Sequence, residues 1–374
     1  MPSGVFRAPY PFAAASPLEF LAEPRETWAR LLADLASARR SLLVENFIFN
    51  DGLAGAAVVD ALVRAADNGA QVRVHADGFG ASGFGAEPSA RLAAAGVELR
   101  FFNRLGFWKM MRPVRAFPRT HRRIVVVDDL VGWTGGLAFD DQWWPEEGRE
   151  AARDTMARFE GEAVRHLADA FERLWHKGGA GGPPMRRQAA GEHGEIRVVP
   201  QYTLRAPHYH RTMIRRLHHA KRRAWIAVPY FFPGPSLYNA MRRALHRGVD
   251  LRFLFPGKRT DHPAVRLAAR RHYGRLLRGG ARIWEYQPSF MHAKVALFDD
   301  EWALTGSSNL DAWSLFINNE IAVECCDAPA VASLRRQFQA DFARSREVTL
   351  DDWRRRGLWA RFLERFVGTF DPAF

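Results

Sequence analysis

Two histidines in this chain sit in the same polar setting. In THRRIVVVDDLVGWTGGLAF, His121 is followed by Arg123, Asp128, Gly135 and Gly136; in FMHAKVALFDDEWALTGSSNLD, His292 is followed by Lys294, Asp299, Gly306 and Ser307. Both read His-x-(Lys/Arg)-x4-Asp-x6-Gly-(Gly/Ser), and 292 − 121, 299 − 128 and 306 − 135 all equal 171. An imidazole nitrogen can attack phosphorus or carry a proton, and a neighbouring cation can hold phosphoryl oxygens. Two copies in register therefore point to phosphate chemistry at one site assembled from an internal repeat.

The elements that must position these groups are legible around them. HRRIVVV and HAKVALF run from a polar start into β-branched and aromatic residues, which is a strand signature. Residues i and i+2 of a strand share a face, so His121 projects with Arg123 and His292 with Lys294. Gly306 and Ser307 open a small-residue turn whose backbone N–H groups can face an anion, and Asn309 adds a side-chain donor. Upstream, SLLVENFIF, a helix ending at Gly69, and QVRVHAD in the first half are matched by AWIAVPYFF, SLYNAMRRALHRG and DLRFLFP in the second. Strand–helix–strand order predicts parallel pairing with crossover helices. GFGASG at 78–83 matches a dinucleotide fingerprint. However, Gly85 and Pro88 interrupt the helix it should open, and no acidic residue ends a strand about twenty residues on, so no nucleotide cofactor is expected.

The 374 residues carry 54 − 41 = +13 formal charges, which predicts an anionic partner, either nucleic acid or an acidic membrane surface. Cys325 and Cys326 are adjacent, suiting neither a disulfide framework nor a spaced zinc site, so a reducing compartment is expected. His208, His210, His218 and His219 read as surface residues of a basic helix rather than metal ligands. No signal peptide is evident and no run of 18 apolar residues occurs, so membrane association is expected to be peripheral. Residues 1–16 read as an arm. The segment 102–120 mixes Phe107, Trp108, Met110 and Met111 with Lys109, Arg112 and Arg115, and reads either as an interfacial loop or as a lid on its own domain. The tail, with Trp359, Phe362, Leu363, Phe366 and Phe370 on one helical face, is a membrane-surface or self-docking helix.

The paired motifs resemble those of the phospholipase D superfamily. GSSNLDAWSLFINNE, VENFIFNDGLAG, VPYFFPGPSLYNAM and HRGVDLRFLFPGKRTD are similar to the cardiolipin synthases within it, over roughly residues 17–370. The resemblance implies an α/β fold of two fused phospholipase D-type lobes, each a mixed, mainly parallel sheet flanked by helices, with one shared active site. The first lobe would span 17–175, a linker 176–195 and the second lobe 196–374. It implies catalysis without metal or cofactor, through a phosphatidyl-histidine intermediate. His121, Arg123, Asp128, His292, Lys294 and Asp299 would form the catalytic motifs, one histidine as nucleophile and the other as acid/base, in an order the sequence leaves open. Arg123 and Lys294 would hold the phosphate, while Asp128 and Asp299, at strand ends, are expected to be structural rather than reacting. Glu320 matches the family's histidine-orienting acid, and Asp154 is its nearest counterpart in the first half. Gly135, Gly136, Ser307 and Asn309 complete the substrate-binding or orienting set.

Three positions depart from the family pattern: Arg123 replaces a Lys, Ala138 stands where Asn is expected, and Trp313 replaces an Arg. They predict a first half-site that is weakened or specialised. The expected activity is cardiolipin synthase-like transfer of a phosphatidyl group to phosphatidylglycerol, on an anionic phospholipid surface at the cytoplasmic face of the membrane. A hydrolytic phospholipase D, a nuclease of the same type and an inactive scaffold are the alternatives; the aromatic residues favour lipid over nucleic acid.

Overall fold

The computed structural model describes residues 10–104, 117–176, 194–202 and 207–357. Of the stretches read above as an interfacial loop or lid (102–120), a linker (176–195) and a membrane-surface or self-docking tail, residues 105–116, 177–193 and 358–374 lie outside the described residues.

The first half contains β1 (Leu18–Leu21), β2 (Ser41–Asn46), β3 (Gln71–Asp77), β4 (Glu98–Phe102), β5 (Ile124–Val127), β6 (Val131–Gly135) and β7 (Met156–Glu160), with helices at Pro24–Ser37, Leu53–Asp67, Ala86–Ala94 and Ala163–Trp175. The second contains β8 (Ile196–Gln201), β9 (Arg223–Ala227), β10 (Asp250–Pro256), β11 (Arg282–Tyr286), β12 (Val295–Phe298), β13 (Trp302–Gly306), β14 (Glu320–Cys325) and β15 (Ser345–Val348). The sheet orders are β1-β7-β6-β5-β2-β3-β4 and β15-β11-β10-β9-β12-β13-β14-β8. Their shared part is the same run of six strands, β7-β6-β5-β2-β3-β4 against β14-β13-β12-β9-β10-β11, so the sequence repeat is a structural repeat.

The sheets are mixed, as expected, but they are not mainly parallel. Parallel pairing is confined to β2–β3–β4 and β9–β10–β11, where helices supply the crossovers. Every other described strand pair is antiparallel, including both motif strands, β5 and β12. For β5–β6 and β12–β13 the local reason is the turn that follows each motif strand. Asp128 and Asp129 (φ 53° and 59°), and Asp299 and Asp300 (φ 54° and 61°), take the left-handed conformation that closes a tight hairpin.

Those turns also settle the motif aspartates. The Asp128 carboxylate accepts backbone N–H bonds from Arg39, Arg40 and Ser41, the closest at 2.7 Å. Asp299 does the same for Lys221, Arg222 and Arg223 at 2.7–2.9 Å. Each pins the start of the neighbouring parallel strand and stays out of the pocket that holds the histidines. The Asp128 and Asp299 carboxylates thus make their hydrogen bonds within the fold, and neither lines that pocket.

Each lobe has an outer apolar core between its sheet and its crossover helices. A third cluster lies between the lobes, joining Ile124, Val126 and Phe159 to Val295, Leu297 and Ile321. The lobes are thus packed as one body around the strands that carry the motifs. Two local readings change. Tyr10, Ala13 and Ala15 are buried in that central cluster, with Ala13 bridging Ile196, so residues 10–16 are not a free arm. His210 is buried and pairs with Ser236 Oγ at 3.0 Å, so it is not a surface residue.

Candidate active site

The histidines are carried on the residues just before β5 and β12, where each chain segment bridges the opposite lobe. The His121 N–H donates to Asn319 O at 2.9 Å, and the His292 N–H donates to Arg153 O at 2.8 Å. Asn319 and Arg153 are the residues immediately before Glu320 and Asp154. The crossing therefore delivers each acid to the other lobe's histidine. Glu320 Oε1 lies 3.0 Å from His121 Nδ1, and Asp154 Oδ2 lies 2.6 Å from His292 Nδ1. His121, Arg123 and His292 line one pocket of about 460 Å³, together with Asn309. Lys294 Nζ sits 2.8 Å from His292 Nε2, and Arg123 Nη1 donates to His121 O.

Both imidazoles are buried and disfavour their charged form. Burial, then the positive charges of Arg123 and Lys294, holds His121 well below its ordinary range. Burial and Lys294 hold His292 down to about 4, against the opposing pull of Asp154. Burial lowers Lys294 to about 7. The acids diverge. Burial raises Glu320 well above the usual carboxyl range. Burial acts in the same sense on Asp154, but the charge and hydrogen bond of His292, with Lys294, bring it below its ordinary value. The two acids are thus driven apart, Glu320 towards its protonated form and Asp154 towards its ionised form, while both imidazoles favour the uncharged form.

The glycines of the first motif make room. A Cβ on Gly136 would stand 2.4 Å from Asp154 Oδ1, and one on Gly135 would stand 2.5 Å from Thr155 O, so only glycine lets the Asp154 strand approach. In the second half, Ser307 Oγ donates to Glu320 and the Ser307 N–H donates to Ile321 O at 2.8 Å. That backbone group is used within the sheet rather than facing an anion. Asn309 is buried, lines the pocket and has an amide Oδ1 without a hydrogen-bond partner.

The departures find physical explanations. Trp313 packs on Phe117 of the first lobe, ring centroids 4.3 Å apart, so an aromatic contact spans the pocket mouth where a cation was expected. Ala138 is fully buried in the first-lobe core with Leu137 and Phe139, and does not line the pocket. On the pocket side, Phe47 meets His121 edge-on at 4.9 Å. Ala138→Asn should therefore place an amide in an apolar core. We expect it to cost about 1–3 kcal/mol of stability, measured by thermal or denaturant unfolding. A variant as stable as the parent and faster on phosphatidylglycerol would show that the amide reaches the site.

Sequence reasoning missed Trp143, whose Nε1 donates to Asp154 Oδ2 at 3.0 Å while its ring stands edge-on to His292 at 4.9 Å. It also missed Phe47, Tyr230 and Asp261 as pocket residues. Trp143 lies outside every segment that carries the resemblance, whereas Phe47, Tyr230 and Asp261 lie within VENFIFNDGLAG, VPYFFPGPSLYNAM and HRGVDLRFLFPGKRTD, and only the tertiary fold brings them to the pocket.

Comparisons with known proteins agree with this architecture. The family described as "Cardiolipin synthase, PLD-like domain" matches residues 31–175 and 213–342. Cardiolipin synthase A of Pseudomonas putida (strain GB-1) is 32% identical over 353 residues, covering 92% of this chain and 72% of the relative. Cardiolipin synthase 1 of Bacillus anthracis is 29% identical over 376 residues, covering 97% and 73%. The crystal structure of phosphatidylserine synthase from Haemophilus influenzae superposes with a TM-score of 0.76 at 14% identity, covering 97% of this chain and 95% of that one, which supports the fold. The chain belongs to the cardiolipin synthase family of phospholipase D-like proteins, and is a phosphatidyltransferase of that type.

Proposed function

We propose that this enzyme transfers a phosphatidyl group from one phosphatidylglycerol to the head-group hydroxyl of a second, releasing glycerol. The observation that carries the reading is the pair of crossed dyads, His121–Glu320 and His292–Asp154, opening on one pocket with Arg123 and Lys294 close by. In the first step, His121 Nε2 attacks phosphorus. The P–N bond forms as the P–O bond to the departing glycerol breaks, and His292, protonated once the charge of the bound phosphodiester offsets the lowering by Lys294, gives its proton to that oxygen. In the second step, the acceptor hydroxyl passes its proton to His292, its oxygen attacks phosphorus and the P–N bond breaks.

The assignment of roles rests on the two acids. A neutral Glu320 leaves His121 an uncharged imidazole whose Nδ1–H donates to the carboxyl, freeing the Nε2 lone pair. An ionised Asp154 stabilises the imidazolium that His292 must be before it gives up its proton, and that it becomes again in the second step. Arg123 and Lys294 would meet the phosphate's charge, so the reading includes no resident metal. A bound phosphodiester would also offset the lowering of Lys294.

The pocket wall of Phe47, Ile48, Phe79 and Phe117 favours a lipid over a nucleic acid backbone. No helix among the described residues is long and apolar enough to cross a membrane. Peripheral attachment to the anionic cytoplasmic leaflet, aided by the net charge of +13, is part of the same proposal. The test is to incubate purified protein with phosphatidylglycerol vesicles and identify the products by mass. Cardiolipin with free glycerol is expected. Phosphatidic acid alone would make the enzyme a hydrolase, and an unchanged lipid profile would remove phosphatidylglycerol as substrate.

A further inference from the structure

The two walls of the pocket differ in chemistry. The first-lobe wall is aromatic and aliphatic: Phe47, Ile48, Phe79 and Phe117. The facing second-lobe wall is also partly apolar, with Phe232 and Val265, but adds Tyr230, Asp261 and Asp311, and His262 Nε2 stands 3.8 Å from Asp261 Oδ2. Carboxylates weaken the binding of a phosphate by charge repulsion, so their presence beside a phosphate site calls for a different ligand group. Asp311 is committed to the fold: it is fully buried and accepts the Ser314 N–H at 2.8 Å, closing the turn after the second motif. Asp261 is placed otherwise. It is half-buried at the pocket, and its charge reaches Lys294 strongly enough to raise that amine's proton affinity. Tyr230 O–H donates to its Oδ2, and Thr260 Oγ1 donates to its Oδ1 at 3.3 Å. A carboxylate has about four acceptor positions, so the group can take further donors from a ligand.

Resting on the phosphatidyltransferase reading above, we propose that Asp261, oriented by Tyr230, is the subsite for the additional hydroxyls of the alcohol that leaves or enters, and selects a polyol of the glycerol type. The leaving and entering alcohols pass through the same place because the second step reverses the first. A neutral polyol supplies O–H donors to the carboxylate. A simple alkanol supplies none beyond its reacting hydroxyl, and a head group that puts a carboxylate in place of those hydroxyls is repelled. Sites built to bond a substrate hydroxyl discriminate strongly against analogues lacking it.

The experiment compares acceptors within one preparation. Phosphatidylglycerol vesicles are incubated with equal concentrations of isotopically labelled glycerol and 1-butanol, and labelled phosphatidylglycerol and phosphatidylbutanol are quantified by mass. The parent enzyme is expected to favour glycerol by about tenfold or more. Asp261→Asn should move the ratio towards one. Tyr230→Phe, which keeps the ring and loses only the orienting hydroxyl, should lower the ratio by a smaller factor. A ratio is independent of how much variant folds. Equal losses of both products in both variants, or an unchanged ratio, would overturn the assignment. Labelled ethanolamine outcompeting glycerol with the same dependence on Asp261 would make this an ammonium site and likewise overturn it. Failure of the parent to form any phosphatidyl product with any alcohol would sink the transferase reading along with it, whereas products with a flat ratio sink the subsite alone.

Discussion

His121→Ala and His292→Ala should each lower the rate of cardiolipin formation by roughly 10⁴-fold or more, and the double variant should be no worse than either single one. Each imidazole has a task in both steps, so removing one leaves the other without a partner reaction. Both side chains are buried, but the cavity each leaves faces the substrate pocket rather than the interlobe core, so the fold should persist. The check is product yield on phosphatidylglycerol vesicles alongside circular dichroism. A folded single variant with near-normal activity would exclude the shared site. Under the proposed roles, only His292→Ala should still accumulate a phosphorylated histidine when the donor lipid carries a good leaving group that needs no protonation.

Asp154→Asn and Glu320→Gln should have unequal effects, although the two acids occupy corresponding places. Asp154 is ionic in character and is held by Trp143 Nε1 at 3.0 Å and by the Thr155 N–H at 2.8 Å. Replacing it with a neutral amide removes the charge that stabilises an imidazolium at His292. A comparable carboxylate-to-amide change beside a catalytic histidine costs about 10⁴-fold, so a loss of roughly 10³–10⁴ is expected. Glu320 is raised well above the usual carboxyl range by its burial, so glutamine preserves its charge state and much of its hydrogen bonding. One neutral hydrogen bond contributes about 0.5–1.5 kcal/mol, which limits the expected loss to about tenfold. Equal losses at the two positions would show that the dyads carry the same charge, and would remove the basis for naming His121 the nucleophile.

Much of this site is written locally in the chain. The strands of the motifs follow from IVVV and VALF, but His121, Arg123, His292 and Lys294 stand on the three residues before each strand, outside the ladder whose two-residue period was expected to pair them. The structural part of Asp128 and Asp299 could be inferred from their place at strand ends, and the hydrogen bonds explain it. Sheet polarity was less accessible. The strand–helix–strand units predicted parallel pairing, and they form it, but the Asp-Asp turns fold each motif strand into an antiparallel hairpin with the strand that follows, through a local backbone choice that hydrophobic patterning does not report.

The sequence by itself determined the repeat, its 171-residue offset and the residue types available for phosphate chemistry, because these depend on identity and spacing alone. It also contained both acids, Asp154 and Glu320. Only the tertiary structure decided that each serves the histidine of the opposite lobe, because that pairing depends on the backbone bridges from His121 to Asn319 and from His292 to Arg153. The same holds for the asymmetry of the site. Asp154 and Glu320 differ by one methylene in sequence, yet burial and neighbouring charge drive them in opposite directions. Desolvation and Coulomb interaction are set by what surrounds a group in space, and a chain read as a string carries no such distances.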